Sequence, residues 1–149
     1  GLYSVGCLGR ISSFDEIEDK RFAINLIGQN YFTVSKEIIS KKSFRMVEAI
    51  INNNLQDSDK NFIISKFKKE ILIKKYTDLI SSQESNFDIS FIEKIEPATL
   101  IKFIAMSFPF SSADKQFLLE TYSLHELSEK IINLFDFYIK KETNNKLIN

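Results

Sequence analysis

"PFSSADKQFLLETYSLHEL", Pro109–Leu127, holds two helix starts in one short stretch. Pro109 cannot continue a preceding helix. Ser111 is placed to cap the next one, with Asp114 three residues on. Ser123 repeats the device, and Glu126 completes a Ser-x-x-Glu capping box. The stretch therefore reads as a corner between helices, and the chain on either side of it should carry a helical period.

It does. Downstream, Leu124, Leu127, Ile131, Leu134, Phe135 and Tyr138 fall on one stripe of a final helix, and the polar tail "KKETNNKLIN" (Lys140–Asn149) is expected to fray. Upstream, Pro97 suits the first position of a helix. Leu100, Ile101, Ile104, Ala105 and Phe108 recur at helical spacing behind it. A short helix is expected over Ile89–Ile95, after the break "SSQESN" (Ser81–Asn86). Before that break, Asp59 is placed to cap a long helix from Lys60 to Ser82. Its apolar residues form two faces, one of Ile63, Ile64, Phe67 and Ile71, the other of Leu72, Tyr76, Leu79 and Ile80. Two faces imply two partners, so this helix is expected to bridge the two halves of the chain.

The first half changes period. "RFAINLI" (Arg21–Ile27) alternates strictly, with Phe22, Ile24 and Leu26 on one face and Arg21, Ala23 and Asn25 on the other. "LYSVGCLGRISSF" (Leu2–Phe14) reads as a strand with Gly6 and Gly9 at bulges. "DEIEDK" (Asp15–Lys20) reads as a polar turn, and Gly28 as the bend of a hairpin leading into "NYFTVSKEI" (Asn30–Ile38). Ser43–Ile51 alternates again, Phe44, Met46 and Glu48 opposing Arg45, Val47 and Ala49, and ends at the polar loop "NNNLQDSD" (Asn52–Asp59). The expected fold class is α+β: a β subdomain over residues 1–55 and an α-helical bundle over 56–149.

Composition narrows the functions. Twenty Lys and Arg balance twenty Asp and Glu. That disfavours a nucleic-acid module working by phosphate neutralisation, which shows basic excess. No apolar run approaches the roughly 18 residues that span a bilayer. The sequence opens on Gly1, and its first Met is Met46. It is read as a trimmed piece or as carrying a scar at its start. One cysteine, Cys7, allows no intrachain disulfide, in keeping with a reducing, cytoplasmic setting.

The search for chemistry assigns no catalytic residue, no cofactor site and no metal ligand. All four glycines lie at or before Gly28, so no glycine-rich phosphate loop follows it. His125 is the single histidine, read as a surface or cap residue of a helix's first turn. One His and one Cys do not make a zinc site. Cys7 is read as a small buried strand residue rather than a nucleophile. The carboxylates of Asp15–Asp19, and the pair Glu93 and Glu96, suit acid–base work in principle, but solvated turns and helix ends are the more frequent role. Lys66, Lys68, Lys69, Lys74 and Lys75 read as a wet helix face offset by Glu70 and Asp78. Thr121, Tyr122 and the corner Phe108–Phe110 offer a contact surface or, more simply, core packing.

The corner also carries a resemblance. Ala98–Phe135 resembles the C-terminal helical part of the Lon substrate-binding domain family, with its pattern PF-x-x-x-EKQ-x-LLE before the last helix. Leu100, Ala105, Pro109, Phe110, Lys115, Gln116, Leu118, Leu119, Glu120, Leu124 and Glu126 match. Upstream, Gly6, Gly9, Arg10, Ile11, Phe14, Arg21, Ile24, Leu26, Gly28 and Phe32 match the family's central β segment. Lys20 stands where the family has a turn glycine, and Tyr31 where it has an arginine. The family opens with a segment of the FPLP…LFPG type that does not precede Gly1 here.

The resemblance implies a PUA-like β-barrel, incomplete at its N-terminus, followed by a helical bundle in a stand-alone bacterial member. It implies a non-catalytic module that binds unfolded or exposed apolar polypeptide in a groove between the two subdomains. No ATPase or Ser-Lys protease motif accompanies it. Exposed sheet edges would invite pairing with a second copy. A PUA-like RNA-binding module is the alternative, disfavoured by the neutral charge. An enzyme with an unrecognised carboxylate site ranks third.

Overall fold

The computed structural model describes residues 1–52, 62–81 and 91–148, the side chains of 142 and 145–148 excepted. The chain divides into two compact units, Gly1–Gln56 and Asp57–Asn149. The first is β and the second α, an α+β organisation.

The β unit is one antiparallel sheet in the order β1-β2-β3, with β1 at Val5–Ile17, β2 at Arg21–Ile38 and β3 at Met46–Asn52. The polar turn is shorter than Asp15–Lys20: β1 continues to Ile17 and only the 3-10 turn Glu18–Lys20 reverses the chain. Gly28 is not a bend. β2 runs unbroken through it, facing Gly9 across the pair. A Cβ at Gly28 would lie 3.2 Å from the Cys7 sulfur, so the missing side chain makes room rather than a turn. The third strand starts at Met46, not Ser43, because Arg45 is turned back onto Glu37 in a bidentate pair at 2.6 and 2.7 Å.

The helical unit has α1 at Lys66–Ser81, α2 at Pro97–Ser107, α3 at Ser112–Leu119 and α4 at Leu124–Ile148. The first helix starts later than Lys60, because Ser65 caps it, its Oγ accepting from the Lys68 N–H at 3.2 Å. Asp59 lies outside the described residues, as does Ile89. In place of a helix over Ile89–Ile95 there is a 3-10 turn, Ile92–Lys94. Glu96, which precedes a proline and is thereby held from helical geometry, caps α2 through the Thr99 N–H. Pro97 opens α2 and Ser111 caps α3. Ser123 accepts from the Glu126 N–H at 3.4 Å, while the Glu126 carboxylate pairs with Lys130 at 2.8 Å. The tail does not fray: α4 stays helical to Ile148, since packed turns ahead of it remove the nucleation cost and Lys140 and Lys141 are good helix formers.

One core holds this unit together. Leu72, Tyr76 and Leu79 of α1, Ile101 and Ile104 of α2, Leu118 of α3 and Ile131 and Phe135 of α4 are buried in it. The corner Phe108–Phe110 is its aromatic centre: Phe108 lies 5.0 Å from Phe135 and 4.5 Å from Phe110, ring centre to ring centre. Core packing is thus the role of this corner. Tyr138 locks it from α4, its hydroxyl donating to Asp114 at 2.9 Å and accepting from the Ser111 N–H at 3.1 Å. Of the two faces on α1, only that of Leu72, Tyr76 and Leu79 is buried in full; Phe67 is 73% exposed.

Candidate functional site

Among the described residues of the β unit some are half-buried, but none is fully buried. Its side chains therefore stand available, and the register decides which of them act together. Cross-strand partners share a face of the sheet, and successive residues alternate. Phe14 faces Ile24, Glu16 faces Phe22 and Ile11 faces Leu26. Ile11 and Phe14 are three residues apart and by simple alternation would point to opposite sides. They share a side because Ser12 is an extra residue between the pairs Ile11–Leu26 and Ser13–Asn25. This bulge gathers Ile11, Phe14, Phe22, Ile24 and Leu26 on one face.

Each of these five side chains is between 52% and 66% exposed. The Phe14 and Phe22 rings meet edge to face at 6.2 Å. On the opposite face the Asn25 amide donates to Ser13 Oγ at 3.0 Å and Ser12 Oγ donates to the Asn25 carbonyl at 3.2 Å, with Ile17 and Ile27 at that face's two ends. The contiguous apolar cluster is thus on the side of Ile11 and Phe14, while the other side mixes polar and apolar residues. Two left-handed residues shape its tip, Asp19 at φ 64° and Lys20 at φ 58°. Asp tolerates that region; Lys does so at a cost of about 1 kcal/mol. Further along, a Cβ on Gly6 would run into the tip of the Phe32 ring, so glycine there makes room for that side chain.

The residues singled out from the sequence are scattered rather than gathered. His125 is exposed in the first turn of α4, its ring 4.8 Å from Phe62. Cys7 is exposed, not buried, because the sheet has no interior to put it in. Glu96 serves as a helix cap, and the backbone N–H groups of Thr99 and then Ala98 hold its carboxyl below the usual glutamate value. Glu37 is likewise lowered, chiefly by its hydrogen bond from Arg45. The lysines of α1 are not simply a wet face. Lys68 pairs with Glu129 at 3.2 Å, Lys75 pairs with Asp136, and Lys69 donates to the carbonyls of Glu93 and Ile95 at 2.9 and 3.1 Å. They fasten α1 to α4 and to the 3-10 turn. Thr121 is buried, its hydroxyl donating to the Phe117 carbonyl and accepting from Lys130. Among the described residues no group of His, Cys, Asp and Glu is arranged to hold a metal ion, and no helix is long and apolar enough to cross a membrane. The apolar hairpin face is the feature that reading by residue missed. Its signal lay in Phe22, Ile24 and Leu26, but its other half depends on a bulge at a serine.

The substrate-binding domain of ATP-dependent protease La (LON) matches residues 1–136. The chain belongs to the LON substrate-binding domain family. Solved LON domains share its fold. A Lon N-terminal domain protein from Xanthomonas campestris superimposes with a TM-score of 0.61 at 16% identity, over 88% of this chain and 68% of that one. The N-terminal domain of the Mycobacterium avium complex Lon protease gives 0.57 at 16% identity, over 89% and 70%. No curated protein matches the chain. Both motif segments noted in the sequence fall inside the LON match, the corner around Phe108 as core and the β segment as the hairpin.

Proposed function

We propose that this LON domain is a non-catalytic module that binds extended, apolar stretches of polypeptide on the β1–β2 face. The observation that carries the reading is the cluster Ile11, Phe14, Phe22, Ile24 and Leu26, apolar on a soluble surface and mostly exposed. Apolar patches of this kind mark interaction sites. A sheet face suits an extended chain, whose own side chains alternate at the same spacing. The family supplies the second support, since substrate binding is what its domain is named for. The β unit is read as part of a PUA-like barrel.

The test is fluorescence anisotropy of a labelled, permanently unfolded protein titrated with the chain at low and high salt, RNA being added as competitor. Binding that saturates, tolerates salt and resists RNA is expected. Ile24→Asp should abolish it while leaving the helical circular dichroism unchanged, because Ile24 lies outside the helical core. Binding undiminished in that variant would move the site elsewhere.

A further inference from the structure

Resting on that reading, we infer that the polypeptide segment taken by the β1–β2 face carries a Lys or Arg beside its apolar residues, at the end lying toward the hairpin tip. Glu16 is the one charged residue on the apolar face itself, directly across from Phe22. Around it the tip is acidic. Asp15, Glu16, Glu18 and Asp19 stand against Lys20 and Arg21, and Arg21 already leans on Asp19 at 3.6 Å. Glu16 and Glu18 enter no ion pair among the described residues, and both are exposed. The other end of the apolar face closes on Gly9 opposite Gly28, which offer no charge at all. The face is therefore apolar along its length and negative at one end only.

This arrangement discriminates. A segment with a cation beside its apolar residues gains a charge contact as it docks; one with a carboxylate there brings like charges together. A phosphate backbone is repelled from the same end. A second copy docking tip to tip would crowd the carboxylates of both chains.

The experiment uses the 149-residue chain and three labelled peptides with the same alternating apolar core and flanks of Lys, Ser or Glu. At low salt the Lys-flanked peptide should bind about three- to five-fold tighter than the Ser-flanked one, the range of an exposed ion pair, and the Glu-flanked one weaker than both. At about 1 M salt, where charges are screened beyond roughly 3 Å, the three should converge. The double variant Glu16→Lys, Glu18→Lys should reverse the order, and Glu16→Gln alone should narrow it; unchanged helical circular dichroism reports that each is folded. Equal affinity for all three peptides overturns the inference and leaves the polypeptide-binding reading standing. No binding of any peptide overturns both. Sedimentation as a dimer that Leu26→Asp dissociates gives the face to a second copy and also overturns it.

Discussion

Phe108 sits where α2 ends and the corner begins, and four aromatic rings lie around it: Tyr76, Phe110, Phe135 and Tyr138. Truncation to alanine would leave a cavity that elements on three sides cannot all close. Phe108→Ala should therefore destabilise the helical unit by about 3–5 kcal/mol, read from urea unfolding at 222 nm. A loss below 1 kcal/mol would mean the corner is not its packing centre. Glu96 works differently, through protonation. Its carboxylate is lowered by the Thr99 and Ala98 N–H groups, so the charged form is the one the fold favours. A lowered value in the folded state contributes stability above the ordinary glutamate range and loses it as pH falls through the folded value. Wild type should thus be more stable than Glu96→Gln at neutral pH, with the gap closing as pH falls below the ordinary glutamate range and through the lowered folded value. A gap independent of pH would assign the cap to geometry alone.

Among the elements, β1 is the one whose sequence conceals its structure. The helices were legible because each carries its own start: Pro97, Ser111 and Ser123 are local signals, and the apolar stripe of α4 repeats without interruption. The strands of β2 and β3 were legible where alternation is strict. What could not be read was pairing. The irregularity between Leu8 and Gly9, where Gln29 is the extra residue of β2, falls where Gly9 led one to expect a bulge, but a bulge is a property of two strands and Ser12 differs in no way that marks it from its neighbour Ser13. Gly28 misled for a related reason: glycine is used there for close approach across the pair, while two non-glycine residues, Asp19 and Lys20, take the left-handed positions of the turn. The candidate face inherits this. Its β2 half could be listed from sequence, its β1 half could not. Ile11→Ser should take one apolar side chain out of the β1 half of the face and leave the bulge at Ser12 in place. Binding of the Lys-flanked peptide should then fall at least several-fold, measured by the same anisotropy titration. Unchanged binding would show that Ile11 is not part of the face.

At the scale of the whole molecule, burial is one-sided. Every fully buried apolar residue described lies at Phe62 or later, so the helical unit closes its own core and the sheet closes none. Residues 57–149 made alone should give a helical spectrum and one cooperative urea transition. Residues 1–56 made alone should give neither, since a small sheet without a covered apolar face is marginal in water. A cooperative sheet from that fragment would show that burial is not what it lacks. The uncovered face has a consequence for the life of the protein in a cell. Chaperones and proteases sort proteins by the apolar surface they show, and a folded domain with five such side chains outward shows what a damaged chain shows. On the proposed reading it wears the badge by which it would choose its own clients, so its lifetime should lengthen when that badge is hidden by a bound one.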